Sequence, residues 1–322
     1  MNIKKNDKIF IAGHKGMVGS AILRVLKKKK YTNIITKEKK NLNLTDQNKV
    51  ENFFKKEKIK QVYLCAAKVG GILANSNYRA DFIEENLLIQ TNVIISAFKN
   101  GVKNLVFLGS SCVYPVIINR KITEKDLLSS YLEPTNEAYA VAKISGIKLC
   151  ESYNRQYKTN YKTVMPCNLF GPGDNFHPTK SHVMAAIIRK ILLAKNKKLK
   201  NVVLWGDGSP KREFLYVDDL AEAVVFIGNL SKKKIERILG SKQCHINIGY
   251  GKDYSIKNIA KLIARSLNYK GDILFDKSKP NGVKKKLLNS NLSRKLGWKP
   301  NYNFKEILDL HVKEISKNKK LF

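Results

Sequence analysis

The chain has 322 residues, and its 61 Lys and Arg against 26 Asp and Glu give a formal net charge of +35. Its hydrophobic content of 43% is ordinary for a globular protein, and no apolar run reaches the ~18 residues needed to cross a bilayer. The first seven residues lead directly into a short strand-like run with no signal-type segment, so a cytoplasmic protein is expected. The lysines are scattered, with runs at 27–30, 195–200, 232–234 and 317–320. No Arg-rich or aromatic-interleaved basic strip accompanies them. The charge therefore reads as a solvated surface that welcomes anionic ligands, with no specific nucleic-acid partner. The cysteines are Cys65, Cys112, Cys150, Cys167 and Cys244. Their odd number and wide spacing predict reduced thiols and no metal site.

Strand-like and helix-like segments alternate from the start. Residues 8–12 form a short apolar run, and 21–26 have helical spacing behind a glycine-rich turn. Strands are expected at 34–36, 62–66, 104–108 and 162–165, with helices around 50–54, 78–100 and 137–157. This order predicts an α/β fold with a Rossmann-type doubly wound parallel sheet. After the turn cluster Gly171-Pro172-Gly173-Asp174 the rhythm changes. Helical stretches at 183–193, 217–227 and 256–267 mix with short strands at 202–205, 246–248 and 272–275. A smaller mixed α/β substrate lobe is expected over 171–322, partly interleaved with a dinucleotide-binding domain over 1–170.

Gly13-x-x-Gly16-x-x-Gly19 follows the first strand and opens a helix. Glycines there permit a tight turn and let backbone N–H groups approach a pyrophosphate at the helix N-terminus. Met17 and Val18 lie in the same segment. Glu38, after the second strand, is placed to meet a ribose 2′-hydroxyl, as an NAD site requires. Lys15 and Lys37 are placed instead to hold a 2′-phosphate, and the excess of basic groups favours NADP(H). Asp46 has two equal readings, an acceptor for the adenine amino group or a helix N-cap.

Tyr139 and Lys143 stand four apart on a helical pattern and share a face. An ammonium beside a phenol stabilises the phenolate and is expected to lower the Tyr139 pKa. Ser110 follows the fourth strand, at the carboxyl edge where open α/β sheets bind ligands. A hydroxyl, a phenol and an ammonium at a nicotinamide site are equipment for carbonyl–alcohol redox chemistry.

With the glycine loop, this set resembles the short-chain dehydrogenase/reductase superfamily in its extended, sugar-nucleotide branch. The runs at 10–21, 66–72, 108–115, 149–157, 168–172, 174–178 and 212–219 narrow the resemblance to the GDP-L-fucose synthase family. It covers about residues 8–310, and Ser110-Ser111-Cys112 and Asn175-Phe176-His177-Pro178 are its specific signatures. The resemblance implies a GDP-sugar substrate, GDP-4-keto-6-deoxy-D-mannose, epimerised at C3 and C5 and then reduced at C4 by NADPH. It implies Cys112 as the base, His182 as the acid, and Ser110, Tyr139 and Lys143 as the redox set. Arg212, Lys190 and Lys286 are implied to hold the GDP end, and Trp205 either packs near the sugar or anchors the core. Lys190 stands where the family often has Arg, keeping charge but losing the planar fork. Asn289 stands where an Asp is common. The family also implies a homodimer through the two long helices. Two other readings stay open: another extended-family 4-epimerase or 4-ketoreductase, and a basic nucleic-acid-binding protein on a Rossmann scaffold.

Overall fold

The structure is a computed structural model that describes residues 3–116, 120–178, 181–279 and 281–318, so the end of the 317–320 lysine run lies outside the described residues. The chain opens with β1 (Ile9–Ala12), α1 (Met17–Lys28), β2 (Ile34–Thr36), α2 (Gln47–Glu57), β3 (Gln61–Leu64) and α3 (Ile72–Asn77). It continues with α4 (Arg79–Lys99), β4 (Asn104–Leu108), α5 (Glu137–Tyr157), β5 (Asn160–Pro166) and β6 (Asn168–Phe170). Next come α6 (Val183–Asn196), β7 (Asn201–Trp205), β8 (Lys211–Tyr216), α7 (Val217–Gly228), α8 (Lys232–Leu239) and β9 (His245–Ile248). The chain closes with β10 (Asp253–Ser255), α9 (Ile256–Ser266), β11 (Asp272–Asp276), β12 (Lys285–Lys286), α10 (Asn291–Leu296) and α11 (Phe304–Lys317).

Six strands in the order β2-β1-β3-β4-β5-β9 form one sheet, every pairing parallel. Strands β1 and β3 are buried at all four positions, as a sheet covered on both faces requires. Helices α2, α4 and α5 pack side by side on one face, and α1 packs against α7 on the other. The strand order reverses between β1 and β3, and the crevice beyond their carboxyl ends is where a doubly wound sheet takes a ligand.

A second hydrophobic core, built around Phe170, Met184, Ile188, Phe214, Ile259 and Val312, lies apart from the one beneath the sheet. Strand β8 is its centre, pairing with β6 and β12 in parallel and β10 antiparallel. Strands β7 and β11 form a separate parallel pair. The chain is not cut cleanly at residue 170, because α7 and β9 return to the first core. The sequence pattern misses β6, β8, β10 and β12. Arg212 and Glu213 in β8 and two lysines in β12 interrupt the apolar alternation that marks a strand. It also runs past α3 and α10, whose six residues each are too few to show a helical period, and past α8 and α11.

Candidate active site

A cleft of about 950 Å³ runs along the carboxyl ends of β1, β3 and β4 into the second lobe. Gly13, Gly16, Met17, Val18 and Gly19 line one end of it. Gly13 has φ +87°, and a Cβ there would stand 2.6 Å from the Ala66 nitrogen. A Cβ on Gly19 would stand 2.2 Å from the Gly13 carbonyl oxygen. The turn therefore presses against the end of β3 and leaves no room for a side chain at Gly13 or Gly19. Gly16 caps α1 with no side-chain hydrogen bond, so the first-turn N–H groups keep their donors for a ligand. A glycine cradle under an uncapped helix N-terminus fits the pyrophosphate of a dinucleotide.

Two expected cofactor residues stand elsewhere. Lys15 pairs with Glu38 at 2.7 Å, outside the lining of the cleft. Asp46 caps α2, accepting from the Lys49 N–H at 3.0 Å, and pairs with the Lys49 ammonium at 3.1 Å. Of its two readings the structure takes the N-cap, because three orphan N–H groups open that helix and Asp46 is the side chain in reach. The Lys15 pair also pulls the Glu38 carboxyl below its usual range and occupies the acid that an NAD ribose would need. Lys37 lines the cleft as expected, joined by Lys39, which the sequence analysis did not single out. Lys39 pairs with Glu85 at 3.0 Å.

Ser110, Cys112, Tyr139, Lys143 and His182 all line the same cleft. Ser110 leaves the end of β4, and its Oγ accepts from the Cys112 N–H at 3.2 Å, holding the short turn that carries the thiol. Tyr139 stands in the first turn of α5, its phenol close enough to Ser110 for that hydroxyl to favour its ionisation. Cys112 lies within electrostatic reach of both Tyr139 and Arg212. Lys143 is buried; its Nζ donates to the Leu108 carbonyl at 2.9 Å and sits 5.9 Å from the Tyr139 ring centre.

Burial sets the protonation states here. It pushes the Tyr139 phenol above its ordinary value, with Cys112 adding to the rise and the Ser110 hydroxyl opposing it. The expected lowering by Lys143 is absent, because the Lys143 ammonium is turned to a carbonyl and is itself desolvated. Its pKa falls to about 8 through burial, with Cys65 opposing. Tyr139 is thus a neutral O–H donor in the free protein. His182 caps α6 with its imidazole open to cleft solvent yet walled by protein, and desolvation lowers its pKa.

The remaining candidates line the second-lobe end. Lys190 donates to the Val203 carbonyl at 3.0 Å and stands 5.7 Å over the Trp205 ring. Trp205 is 49% exposed, so it is no core anchor. Arg212 in β8 is flanked in register by Tyr254 of β10 and Lys286 of β12. Glu133, Thr135 and Asn136 also line the cleft, one turn before Tyr139. Sequence reasoning missed them; their only signal is their place just ahead of that helix. Among the described residues no cluster of side chains has the makings of a metal site, and all five cysteines are free thiols.

A glycine cradle at the switch point of a doubly wound sheet, facing a Ser–Tyr–Lys set, defines a nicotinamide-dependent oxidoreductase class. The chain belongs to the NAD dependent epimerase/dehydratase family, whose model matches residues 9–249. GDP-L-fucose synthase of Escherichia coli (strain K12) is 49% identical over 292 residues, 91% of each chain. The solved GDP-6-OMe-4-keto-L-xylo-heptose reductase from C. jejuni is 36% identical with a TM-score of 0.91, over 98% of this chain and 99% of that one. A solved GDP-L-fucose synthetase from Naegleria fowleri bound to NADP is 25% identical with a TM-score of 0.86, over 99% and 97% of the two chains.

Proposed function

We propose that this chain converts GDP-4-keto-6-deoxy-D-mannose to GDP-L-fucose, by epimerisation at C3 and C5 and NADPH-dependent reduction at C4. The observation that carries it is one cleft lined by both a redox set (Ser110, Tyr139, Lys143) and an acid–base pair (Cys112, His182). Near-half identity to a GDP-L-fucose synthase over nine-tenths of both chains supports the substrate. The NADP in the Naegleria fowleri structure, the engaged Glu38 and the place of Lys37 in the cleft lining support the cofactor.

The ketone at C4 acidifies the protons at C3 and C5. The Cys112 thiolate removes one of them, and the electron pair delocalises onto the C4 oxygen as an enolate. Ser110 and Tyr139 donate hydrogen bonds to that oxygen, a placement worth most where water is excluded. His182 returns a proton to the opposite face, inverting the centre. Desolvation disfavours its protonated form in the free protein, and the negative charge that develops on the enolate favours it as the reaction proceeds. NADPH, when bound, supplies the hydride for the second stage. Tyr139, neutral before the reaction, then protonates the C4 alkoxide, and the Lys143 ammonium turns from the Leu108 carbonyl to steady the phenolate left behind. Arg212 and Lys286 hold the diphosphate, with Lys190 and Trp205 at the nucleoside end. Gly13, Gly16, Met17, Val18, Gly19 and Lys143 contact the cofactor.

The C. jejuni reductase supports a second reading, a GDP-sugar 4-ketoreductase without epimerase action. Incubation with GDP-4-keto-6-deoxy-D-mannose and NADPH separates the two. One GDP-L-fucose per NADPH oxidised is expected; an unepimerised GDP-6-deoxyhexose overturns the epimerase half.

The chain is further read as a cytoplasmic homodimer. Five free thiols suit a reducing compartment. The adjacent helices α4 and α5 carry Leu88 and Val141 exposed on their outer side, and these support a dimer face.

A further inference from the structure

We infer that Glu213 is a positioning residue for the diphosphate site, holding Lys286 beside Arg212 through the backbone of Leu288. The inference rests on the proposed role of Arg212 and Lys286. Glu213 follows Arg212 in β8 and is 1% exposed. Its Oε2 accepts from the Leu288 N–H at 2.9 Å, two residues beyond Lys286. Its Oε1 accepts from the Gly251 N–H at 2.6 Å, in the loop leading from β9 into β10. One buried carboxylate therefore ties β8 to both segments that flank it in the sheet. Gly249 fits closely against this carboxylate: a Cβ there would stand 2.4 Å from Oε1.

The register shows why the tie matters. Lys286 is the Cα partner of Arg212, and β12 is only two residues long. A strand that short has little ladder of its own. Beyond it the chain is held on one side by Ile122, which donates to the Leu287 carbonyl and accepts from the Asn289 N–H. On the β8 side the Glu213 carboxylate takes up the Leu288 N–H. Removing the carboxylate leaves two buried N–H groups without that acceptor, and the segment carrying Lys286 is freed on the side where the diphosphate binds. Glu213 does not line the cleft, so its effect passes through Lys286.

The test is steady-state kinetics of Glu213→Gln, whose amide cannot accept from both N–H groups as the carboxylate does. The KM for the GDP-sugar is expected to rise about tenfold, with kcat within about threefold and NADPH affinity unchanged. In a cycle with Lys286→Ala the two KM effects are expected to be less than additive, because both act on one contact. Should Glu213→Gln not fold, Gly249→Ala displaces the same carboxylate and is expected to show the same split. An unchanged KM in both variants overturns the inference, as does a fall of kcat and NADPH affinity together. An unchanged KM in Lys286→Ala alone overturns the diphosphate reading itself.

Discussion

At the scale of single residues, two buried lysines show how position decides what desolvation does. Lys143 is 3% exposed and lines the cleft, and burial brings its pKa to about 8. Above that pH the free enzyme loses the ammonium that is to steady the Tyr139 phenolate once the reaction forms it. The kcat/KM for C4 reduction is expected to fall with a single basic limb near pH 8, read from a pH–rate profile. A profile flat to pH 10 contradicts this role for Lys143. Lys162 in β5 is buried away from the cleft and donates to the Gly228 carbonyl at 3.0 Å; burial brings its pKa to about 7. Below that value both folded and unfolded chains hold the proton and the burial cost is present in full. Between about 7 and 10.5 the unfolded chain binds more protons, so this group makes stability rise with pH. Lys162→Met is therefore expected to be more heat-stable than the parent at pH 6, with the difference shrinking by pH 9, measured by thermal melts at both. Equal margins at the two pH values contradict it.

The same scale shows what was legible in the sequence. Ser110, Cys112, Tyr139, Lys143 and His182 come from three separate stretches, and their convergence follows from strand and helix order. The place of Asp46 did not follow, because a short polar side chain ahead of a helix serves a cap or a ligand equally well, and that of Lys15 did not because its Glu38 partner comes from beyond the next strand. The Tyr139 protonation state was misread for a different reason. Spacing reports a shared helix face, while burial, the larger effect here, appears only in three dimensions.

At the scale of elements, the strand–turn–helix from β1 through α1 carries the cofactor half of the account. Gly19→Ala drives a Cβ into the Gly13 carbonyl, so the turn must distort. Gly16→Ala meets nothing closer than 3.5 Å, an ordinary contact. The two variants are expected to part company: Gly19→Ala loses several degrees of Tm. Gly16→Ala keeps its Tm but binds NADPH about tenfold more weakly, because the added methyl occupies space the pyrophosphate needs. Calorimetry and cofactor titration read both, and unchanged NADPH affinity in Gly16→Ala contradicts the cradle. In the first lobe α5 and β2 run over the residues expected of them, while the amphipathic α11 near the end of the chain was passed over. The second lobe was less so, because β8 and β12 place charged side chains where strand alternation calls for apolar ones.

At the scale of the whole molecule, a net charge of +35 acts on a substrate that carries a diphosphate. Long-range attraction is expected to speed association and to be screened by salt. Raising ionic strength from about 20 to about 500 mM is expected to lower kcat/KM several-fold while leaving kcat nearly constant. A salt-independent kcat/KM contradicts this steering. The two halves of the chemistry meet only because the first sheet and the β8 lobe close on one cleft. Single-turnover reaction of GDP-4-keto-6-deoxy-D-mannose with NADPH in deuterated water, its product read by NMR, tests that claim most directly. The account predicts GDP-L-fucose deuterated at C3 and C5, and loss of that deuterium by ~10²-fold or more in rate when Cys112→Ser replaces the parent. Reduction of the ketone with no deuterium at either carbon would contradict it.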